Sequence, residues 1–491
     1  MTTEKDVLII GSGVGGLSTA IILLKLGYNV TIIEKNREPG GMMRSYKRFG
    51  IDCPVGVHYI GAMDKEEPLR RIFDYLGVTE KLPLEKMGTD GPIDRYFFKD
   101  FTFDLPHGID AFEANLRSKF PSENAQITEI MNGMRKVAAF MRSFIFPFGN
   151  TENFSIFSSF ELFNSMGEYL TQLNCSRGLR SVLEVPCLWI GIPLNECPIF
   201  FHHNALLSYL FSSWRLNCTG TEMAEVFASR VRELGGKIIL GKDADKIITE
   251  NHTIKGVRLQ SGEELNADIV IAAIHPKSML KILQEGSAKP AYIKRISQII
   301  DTGGVFSTHV GLDAKTHKDL PYNIFKLKTS DDGTITEVAF FQLRPTDNPD
   351  INLLTIITAS NYSEWKQWEG TSTGNRGNEY INKKQKKAEA LLEIATEFFG
   401  PLKIVKFLDS YSPLTIRDWS NSPDGSTYGV KRSKDQLLKT ASLNRTSVKG
   451  LHLAGQSVSA PGILGTTLGS LVTVRDIVGN EILKNDFFEH K

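Results

Sequence analysis

A glycine-rich turn near the start of the chain has the residue types and spacing of a site for a dinucleotide pyrophosphate. The GxGxxG pattern is formed by the run Gly11-Ser12-Gly13-Val14-Gly15-Gly16. The first glycine allows a tight turn, the second lets the main chain approach a pyrophosphate, and the last lets a helix pack closely on a strand. A helix beginning here would direct unpaired N–H groups and its positive dipole end at the phosphates. We therefore expect Gly11, Ser12, Gly13, Gly15 and Gly16 to contact a cofactor.

An acidic residue stands where such sites bind a ribose. Glu34 ends a second apolar segment, 18 positions after Gly16. A carboxylate at this distance accepts hydrogen bonds from the ribose hydroxyls of an adenosine and repels a 2′-phosphate. The next residue, Lys35, is included among the expected cofactor contacts. The turn and the acid predict a dinucleotide site, but by themselves they do not separate NAD from FAD.

A second diglycine favours FAD. It lies in the run Pro39-Gly40-Gly41-Met42-Met43-Arg44. This run resembles the extension that follows the ribose-binding acid in flavoproteins of the amine oxidase, phytoene desaturase and GDP-dissociation-inhibitor superfamily. The resemblance implies that Gly40 and Gly41 bring further N–H groups to the FAD phosphates and ribityl chain. Many members have Arg directly after the diglycine; Met42 stands there in this chain, and Arg44 is the candidate replacement.

Further segments resemble the retinol saturases, carotenoid isomerases and phytoene desaturases of that superfamily. They are residues 50–61, 412–415, 422–429, 450–456 and 461–465. The resemblance implies that Gly455, Gln456, Leu464 and Gly465 contact the FAD, and that Ala244 contacts its adenine through the backbone. A helix beginning at 461–465 would direct its N–H groups at the N1/C2 edge of the flavin ring and stabilise negative charge there.

One histidine is a catalytic candidate. His58 lies in the segment that, by this resemblance, runs beside the flavin. It could deliver a proton or position a substrate, or it could be a packed core histidine. We expect no metal cluster, because His202 and His203 have no acidic or thiol partners at metal-binding spacing.

The elements that must position these residues predict an α/β fold. A strand over 6–10, the glycine turn, a helix through Leu26 and a strand over 29–34 form one βαβ unit of the glutathione-reductase type. Residues 305–360 alternate strands and turns, as in an antiparallel sheet. Helices are expected over 69–76, 124–144 and 383–399. The predicted fold is a Rossmann-like FAD-binding domain with a discontinuous α+β substrate domain that contains the antiparallel sheet.

The length of 491 residues predicts two packed domains. Because the nucleotide-binding features occur at both ends of the chain and in its middle, both domains are expected to be discontinuous. We predict that residues 1–105, 216–290 and 410–491 form the FAD-binding domain. Residues 106–215 and 291–409 are predicted to form the substrate-binding domain.

Composition argues against a nucleic-acid partner and against secretion. The formal net charge of +1 gives no long-range attraction for a polyanion, and five cysteines without a CxxC pair predict reduced thiols. No signal peptide or bilayer-spanning apolar run is evident, so the protein is predicted to be cytoplasmic. Two features leave peripheral membrane contact open, and each has an ordinary alternative explanation. The first could be a segment of the core, and the second could be a solvated helix face. They are the phenylalanine-rich range 140–163, which could also line a substrate tunnel, and the cluster Lys383, Lys384, Lys386 and Lys387. A second apolar segment, 206–214, could line the same tunnel.

The resemblance implies an FAD-dependent oxidoreductase that acts on carbon–carbon double bonds of a hydrophobic polyene or isoprenoid. Hydride would pass between a substrate carbon and flavin N5, with NAD(P)H as a donor where reduction is the outcome. The direction, whether desaturation, saturation or isomerisation, stays open. Two alternatives are an FAD-dependent amine oxidase and a non-enzymatic prenyl-binding escort of the GDP-dissociation-inhibitor type. The intact glycine turn and Glu34 argue against the escort, which binds no FAD.

Overall fold

The fold is given by a computed structural model of the chain, which describes residues 5–143, 148 and 160–489. Its strands, numbered in chain order, are β1 (Asp6–Ile10), β2 (Asn29–Glu34), β3 (Ser45–Arg48), β4 (Ile51–Pro54), β5 (Ile60–Gly61), β6 (Leu84–Met87), β7 (Asp94–Phe97), β8 (Thr102–Leu105), β9 (Ser213–Leu216), β10 (Lys237–Leu240), β11 (Ala244–Glu250), β12 (Thr253–Leu259), β13 (Glu264–Asn266), β14 (Ile269–Ala272), β15 (Gly304–Asp313), β16 (Asn323–Thr329), β17 (Ile335–Pro345), β18 (Ile351–Ser360), β19 (Ile404–Tyr411) and β20 (Leu451–Leu453).

The α-helices are numbered in the same way. They are α1 (Val14–Lys25), α2 (Pro68–Leu76), α3 (Ile109–Lys119), α4 (Asn124–Ser143), α5 (Met166–Gln172), α6 (Arg177–Leu188), α7 (Ile199–Phe211), α8 (Gly220–Glu233), α9 (Pro276–Ile282), α10 (Pro290–Ser297), α11 (Asn378–Phe399), α12 (Pro413–Ser420), α13 (Leu437–Thr440), α14 (Gly462–Val478) and α15 (Asn480–Glu489). The helices predicted over 69–76, 124–144 and 383–399 are confirmed as α2, α4 and α11, with α11 beginning five residues earlier than predicted.

A five-stranded parallel sheet carries the glycine turn. Its order is β10-β2-β1-β14-β20, so β1 lies between β2 and β14. Residues 7–10 of β1 are buried, as expected for a parallel strand that is covered on both faces. Helix α1 begins directly after the glycine turn and leads into β2, so the βαβ unit predicted over residues 6–34 is confirmed.

The two glycine-rich regions, at opposite ends of the chain, meet at the edge of this sheet. A Cβ atom at residue 15 would lie 2.5 Å from the Cα atom of Gly455, and the Ser470 hydroxyl donates to the carbonyl of Gly15 at 3.0 Å. Only glycine permits so close an approach of two backbones. Helix α14, which carries Ser470, therefore packs along α1 and joins the late part of the chain to its beginning.

A second, seven-stranded sheet has the order β19-β15-β18-β17-β16-β7-β8. Strands β15 to β18 are antiparallel neighbours, which confirms the antiparallel sheet predicted over residues 305–360. One face of this sheet packs against α11 through a core that includes Phe306, Trp365 and Leu391. The Phe306 and Trp365 rings stack with centroids 5.8 Å apart.

Strands β7 and β8 belong to the seven-stranded sheet, although the predicted FAD-binding domain includes residues 1–105. Residues Asp94–Phe97 pair in parallel with Asn323–Lys326. A pairing between segments more than 220 positions apart depends on the tertiary fold, and local patterning contains no sign of it. We therefore propose that the first segment of the FAD-binding domain ends before Asp94.

The structure gives no support for membrane contact through the phenylalanine-rich range or through the lysine cluster. In the phenylalanine-rich range 140–163, residues 144–147 and 149–159 lie outside the described residues. In the lysine cluster on α11, Lys383 donates to the carbonyl of Glu364, Lys387 forms an ion pair of 2.7 Å with the Glu364 carboxylate, and Lys384 pairs with Asp409 at 3.4 Å. Within the described ranges, none of the helices combines the length and apolarity that crossing a bilayer requires.

Candidate cofactor and substrate cavity

A cavity of about 1010 Å³ lies between the two large sheets. Residues at or just after the carboxyl ends of all five parallel strands line it: Gly11, Glu34, Asp243, Ala273 and Gly455. Ligands of open parallel sheets bind at this edge, where the order of the strands reverses. The cavity continues to the seven-stranded sheet, where residues of β16, β17 and β18 form its far wall.

The structure brings most of the predicted site residues to this one cavity. Those that line it are Gly11, Ser12, Gly13, Gly15, Glu34, Lys35, Gly40, Gly41, Met42, His58, Ala244, Gly455, Gln456 and Leu464. Gly16, Arg44 and Gly465 do not line it. A Cβ atom at residue 16 would lie 2.0 Å from the carbonyl oxygen of Gly11, so Gly16 allows the helix to pack on the strand. A Cβ atom at residue 465 would lie 2.5 Å from the carbonyl oxygen of Ala460.

Arg44 points to the loop and not to the cavity. Its Nε donates to the carbonyl of Gly41 at 3.2 Å, and its guanidinium carbon lies 5.8 Å from the centroid of the Trp419 ring. The side chain therefore braces the second diglycine turn from outside. Met42, which precedes it, lines the cavity. A direct contact of Arg44 with the cofactor would require the guanidinium to leave these partners.

Glu34 is held by four hydrogen bonds from this chain. Its Oε2 accepts from the Ser12 backbone N–H at 2.9 Å and from the Ser12 hydroxyl at 2.7 Å. Its Oε1 accepts from the backbone N–H and the side-chain amide of Asn36, both at 2.8 Å. A carboxylate has about four lone-pair positions. A ribose hydroxyl would therefore take the place of one of these donors, and the side-chain amide of Asn36 is the partner that can turn away.

Lys35 connects the cavity rim to a neighbouring helix. Its Nζ donates to the carbonyl of Asp418 at 2.9 Å and to Oδ1 of Asn421 at 2.7 Å. Burial lowers the pKa of this lysine, with nearby carboxylates such as Asp243 acting in the opposite direction. The amine therefore fixes α12 beside the nucleotide end of the cavity.

His58 is a neutral imidazole at neutral pH. It lines the cavity, its ring centroid lies 5.7 Å from that of Phe340, and its Nδ1 has no hydrogen-bond partner among the described residues. Burial lowers the pKa of the imidazole to about 4, and the positive charge of Arg344 acts in the same direction. This pKa disfavours an imidazolium at neutral pH, and the role of His58 in proton delivery or in positioning a substrate stays a prediction.

The end of the cavity away from the glycine turn is aromatic and apolar. Tyr59 and Tyr209 have ring centroids 4.7 Å apart, and Trp189 lies 4.9 Å from Tyr209. Phe325, Phe340 and Tyr428 add further aromatic surface. Such walls suit a long apolar molecule and exclude water.

A carboxyl group also lies in this wall. Glu184 is buried, accepts from the backbone N–H of Ile335 at 2.9 Å, and lines the cavity. Burial raises the pKa of its carboxyl to about 7.

Of these wall residues, the sequence pointed to Tyr209 as part of the apolar segment 206–214, and it did not point to the others. Tyr59 stands beside His58 in the run 50–61, and Tyr428 lies in the run 422–429, so the resemblance was a usable signal for both. Glu184 lies on α6, Trp189 directly follows α6, and Tyr209 lies on α7. None of the three belongs to a motif, and only the tertiary fold brings them together.

The residues present fit the phosphates and ring of an FAD. A Cβ atom at residue 13 would meet nothing within 4 Å, so the backbone of Gly13 is open to a phosphate. Helices α1 and α14 both begin at the cavity, and N–H groups in a first helical turn have no intrahelical partner. Three buried polar atoms of cavity residues, Nδ1 of His58, Nε1 of Trp189 and Oγ1 of Thr427, lack partners within the described residues. A polar ligand would satisfy groups of this kind.

Comparison with solved structures and curated proteins agrees with this geometry. An oxidoreductase from Methanosarcina mazei has a TM-score of 0.67 at 15% identity, covering 96% of this chain and 100% of that one, so the fold is shared. An all-trans-retinol 13,14-reductase of Danio rerio is 24% identical over 99% of this chain and 88% of its own length. A 4,4'-diapophytoene desaturase (4,4'-diapolycopene-forming) of Methylomonas sp. is 26% identical over 66% of this chain and 64% of its own.

A family match covers nearly the whole cavity. Residues 14–470 match the model of a protein family described as flavin containing amine oxidoreductase. The matched range includes the second half of the glycine turn, the second diglycine, the aromatic wall and the start of α14. Because the match spans far more than half of the chain, this protein belongs to the flavin containing amine oxidoreductase family.

Proposed function

We propose that this protein is an FAD-dependent oxidoreductase that acts on carbon–carbon double bonds of a hydrophobic polyene or isoprenoid. One observation carries the proposal: a continuous cavity joins the glycine-rich nucleotide end to a wall of aromatic and aliphatic side chains. The names of the similar curated proteins, a retinol reductase and a carotenoid desaturase, support a polyene over an amine as the substrate.

The residues of this chain would bind the cofactor, orient the substrate against it and shield both from water. The glycine turn and the first-turn N–H groups of α1 would hold the pyrophosphate, Glu34 the ribose, and the backbone of Ala244 the adenine. The start of α14, near Leu464, would face the ring edge that becomes negative on reduction. Bound FAD supplies hydride transfer at N5. The aromatic wall would place the double bond against the ring and keep water out.

We further propose a domain type, a domain division and an electron donor. The FAD-binding domain is of the Rossmann-like, glutathione-reductase type, which the parallel order β10-β2-β1-β14-β20 supports. The chain divides into the two discontinuous domains given above, with the first boundary moved before Asp94. In a reductive reaction NAD(P)H would supply the two electrons that reduction of a double bond consumes per turnover.

The test uses the purified flavoprotein under anaerobic conditions. The flavin is bleached with NADPH or NADH and then mixed with all-trans-retinol, a carotenoid, or an imine; in parallel, the oxidised protein is mixed with the same polyenes and with primary amines. We expect reoxidation or bleaching by a polyene. Reaction with amines or imines alone would assign the protein to the amine oxidases, and a protein that binds no FAD would contradict the whole proposal.

A matched pair of variants checks that the aromatic wall is the substrate site. Val338 lines the cavity, whereas Val405 lies exposed on β19. We expect Val338→Asp to keep its FAD and to slow the polyene reaction at least about 100-fold, because a carboxylate in an apolar wall costs several kcal/mol. Val405→Asp should react as the wild type does. Equal rates in the two variants would place the substrate elsewhere.

A further inference from the structure

A buried carboxyl group lies directly behind the cavity wall. Asp94 is fully buried and does not line the cavity. The hydroxyl of Tyr59, which does line it, donates to Oδ2 of Asp94 at 3.0 Å. The side-chain amide of Asn323 donates to Oδ1 at 2.8 Å. Among these residues Tyr59 is the one that connects the carboxyl group to the cavity.

The orientation of Asn323 is fixed by its other partners. Its Oδ1 accepts from Nη2 of Arg215 at 3.1 Å and from Nε2 of Gln342 at 2.9 Å. The amide nitrogen must therefore face Asp94, and Asn323 separates the carboxyl group from the Arg215 guanidinium. Asp94 has no ion-pair partner within the described residues. A buried carboxylate without a cation is costly, so this environment favours the protonated acid.

Burial has a larger effect on the pKa of Asp94 than the ionisable groups around it. Burial raises the pKa of Asp94 to about 7, while the hydrogen bonds from Asn323 and Tyr59 and the charge of Arg215 act in the opposite direction. Burial also raises the pKa of Tyr59 well above its usual value. The other titratable groups facing the pair are Tyr96 on β7 and Tyr209 on α7. Near neutral pH, Asp94 is thus able to gain or lose a proton, and Tyr59 stays a neutral phenol at rest.

We propose that Tyr59 and Asp94 form a two-residue proton relay serving the cavity, in which Tyr59 exchanges a proton with the substrate and Asp94 restores it. The inference rests on the proposed function, because a double bond that gains a hydride on one carbon must gain a proton on the other. In desaturation a single bond loses a hydride from one carbon and a proton from the other. When Asp94 is protonated, its carboxyl group donates the hydrogen bond to the Tyr59 oxygen. The Tyr59 hydroxyl then no longer donates to Asp94, and it can donate to another group.

In the reducing direction the substrate gains one hydride and one proton. A reduced two-electron flavin is the reductant, and its hydride forms a C–H bond at one carbon as the π bond breaks. The Tyr59 O–H bond breaks, and its proton forms a C–H bond at the adjacent carbon. The Asp94 proton passes to the Tyr59 oxygen, which leaves an Asp94 carboxylate, and solvent later returns one proton. Desaturation is the same sequence reversed, with the substrate proton reaching Asp94 through Tyr59.

The first test compares Tyr59→Phe with Tyr96→Phe. Both lose one hydroxyl, but that of Tyr96 is buried without a partner in the described residues and lies outside the cavity. In stopped-flow mixing of reduced protein with all-trans-retinol or a carotenoid, we expect Tyr59→Phe to slow flavin reoxidation about 10²- to 10⁴-fold, the usual range for losing a general acid. Tyr96→Phe should react at the wild-type rate. A Tyr59→Phe rate within about threefold of wild type overturns the relay.

A second readout does not depend on turnover. Infrared difference spectra of wild-type and Asp94→Asn protein at pH 6 should contain a protonated-carboxyl band that disappears as pH rises through about 7. The band should shift in Tyr59→Phe, which removes its hydrogen-bond partner. Its absence at pH 6 overturns the relay even if polyenes react. If no polyene reacts with wild-type protein, the proposed function fails, while the infrared result still decides whether Asp94 holds a proton.

Discussion

The carboxylate of Glu34 is oriented by hydrogen bonds from the protein itself, without a ligand. Ser12 comes from the glycine turn, and Asn36 follows Glu34 by two positions, so local sequence orients both carboxylate oxygens. The dinucleotide motif predicted Glu34 but not Asn36. The motif describes contacts to a ribose, and it does not describe the protein donors that bind the same carboxylate lone pairs.

Buried histidines make the stability of the protein sensitive to acid. His309, at the centre of β15, is fully buried and lies 3.1 Å from the Thr355 hydroxyl. Burial, and secondarily His58, lowers the pKa of His309 to about 3 in the folded state. The unfolded chain takes up the proton near pH 6.5, so the free energy of unfolding falls as pH drops from about 6.5 toward 3.

We predict that His309→Asn flattens this dependence. As pH falls from 7.5 to 5, protonation of His309 in the unfolded chain should lower the unfolding free energy of the wild type by about 2 kcal/mol. The variant lacks this histidine, so its unfolding free energy should fall by about 2 kcal/mol less. Urea denaturation at the two pH values measures the difference. His252, on an exposed turn, provides the matched control: His252→Asn should retain the wild-type pH slope. An unchanged slope in His309→Asn would mean that the folded protein admits the proton.

At the scale of the elements, the contact between α1 and the turn after β20 holds the nucleotide end of the cavity together. We predict that Gly15→Ala separates them, because its Cβ would lie 2.5 Å from Gly455. Affinity for FAD should fall at least about 100-fold, equivalent to about 2.7 kcal/mol, as measured by flavin fluorescence titration.

Gly133 on α4 gives the matched helix glycine for this experiment. A Cβ atom there would lie 3.6 Å from Nε2 of His203, an ordinary contact, and Gly133 does not line the cavity. Gly133→Ala should bind FAD normally and gain up to about 1 kcal/mol of stability from its helix propensity. Equal loss of FAD in both variants would refute the role given to Gly15.

The elements that sequence analysis predicted well are those with local signals. The turn Gly11–Gly16 stands between apolar segments of clear periodicity, and α11 has a long helical pattern. The position of Asp94 has no such signal. Its partner Asn323 is 229 residues away, and its burial follows from a pairing of β7 with β16 that no local pattern encodes. Arg44 was placed by analogy with a neighbouring position, and its actual partners are backbone carbonyls of its own loop.

At the scale of the whole molecule, the cavity joins the two large sheets, so ligand binding and folding are linked. We predict that the melting temperature rises with FAD concentration, with about 2.7 kcal/mol of added stability at a free concentration 100 times the dissociation constant. Scanning calorimetry with increasing FAD measures the shift. Gly15→Ala should show little shift over the same range. A melting temperature independent of FAD in the wild type would contradict binding to the folded state.

The order of strands in the parallel sheet has a consequence for biosynthesis. Strand β20 and the start of α14 come more than 400 residues after β1, yet they complete the sheet edge and one wall of the cavity. While the ribosome is still translating the middle of the chain, β14 has an unpaired edge and the cavity lacks α14, the helix proposed to face the flavin ring. Stable capture of the cofactor must therefore wait until residues 451–465 have left the exit tunnel, and nascent chains stalled before that point would be targets for chaperones.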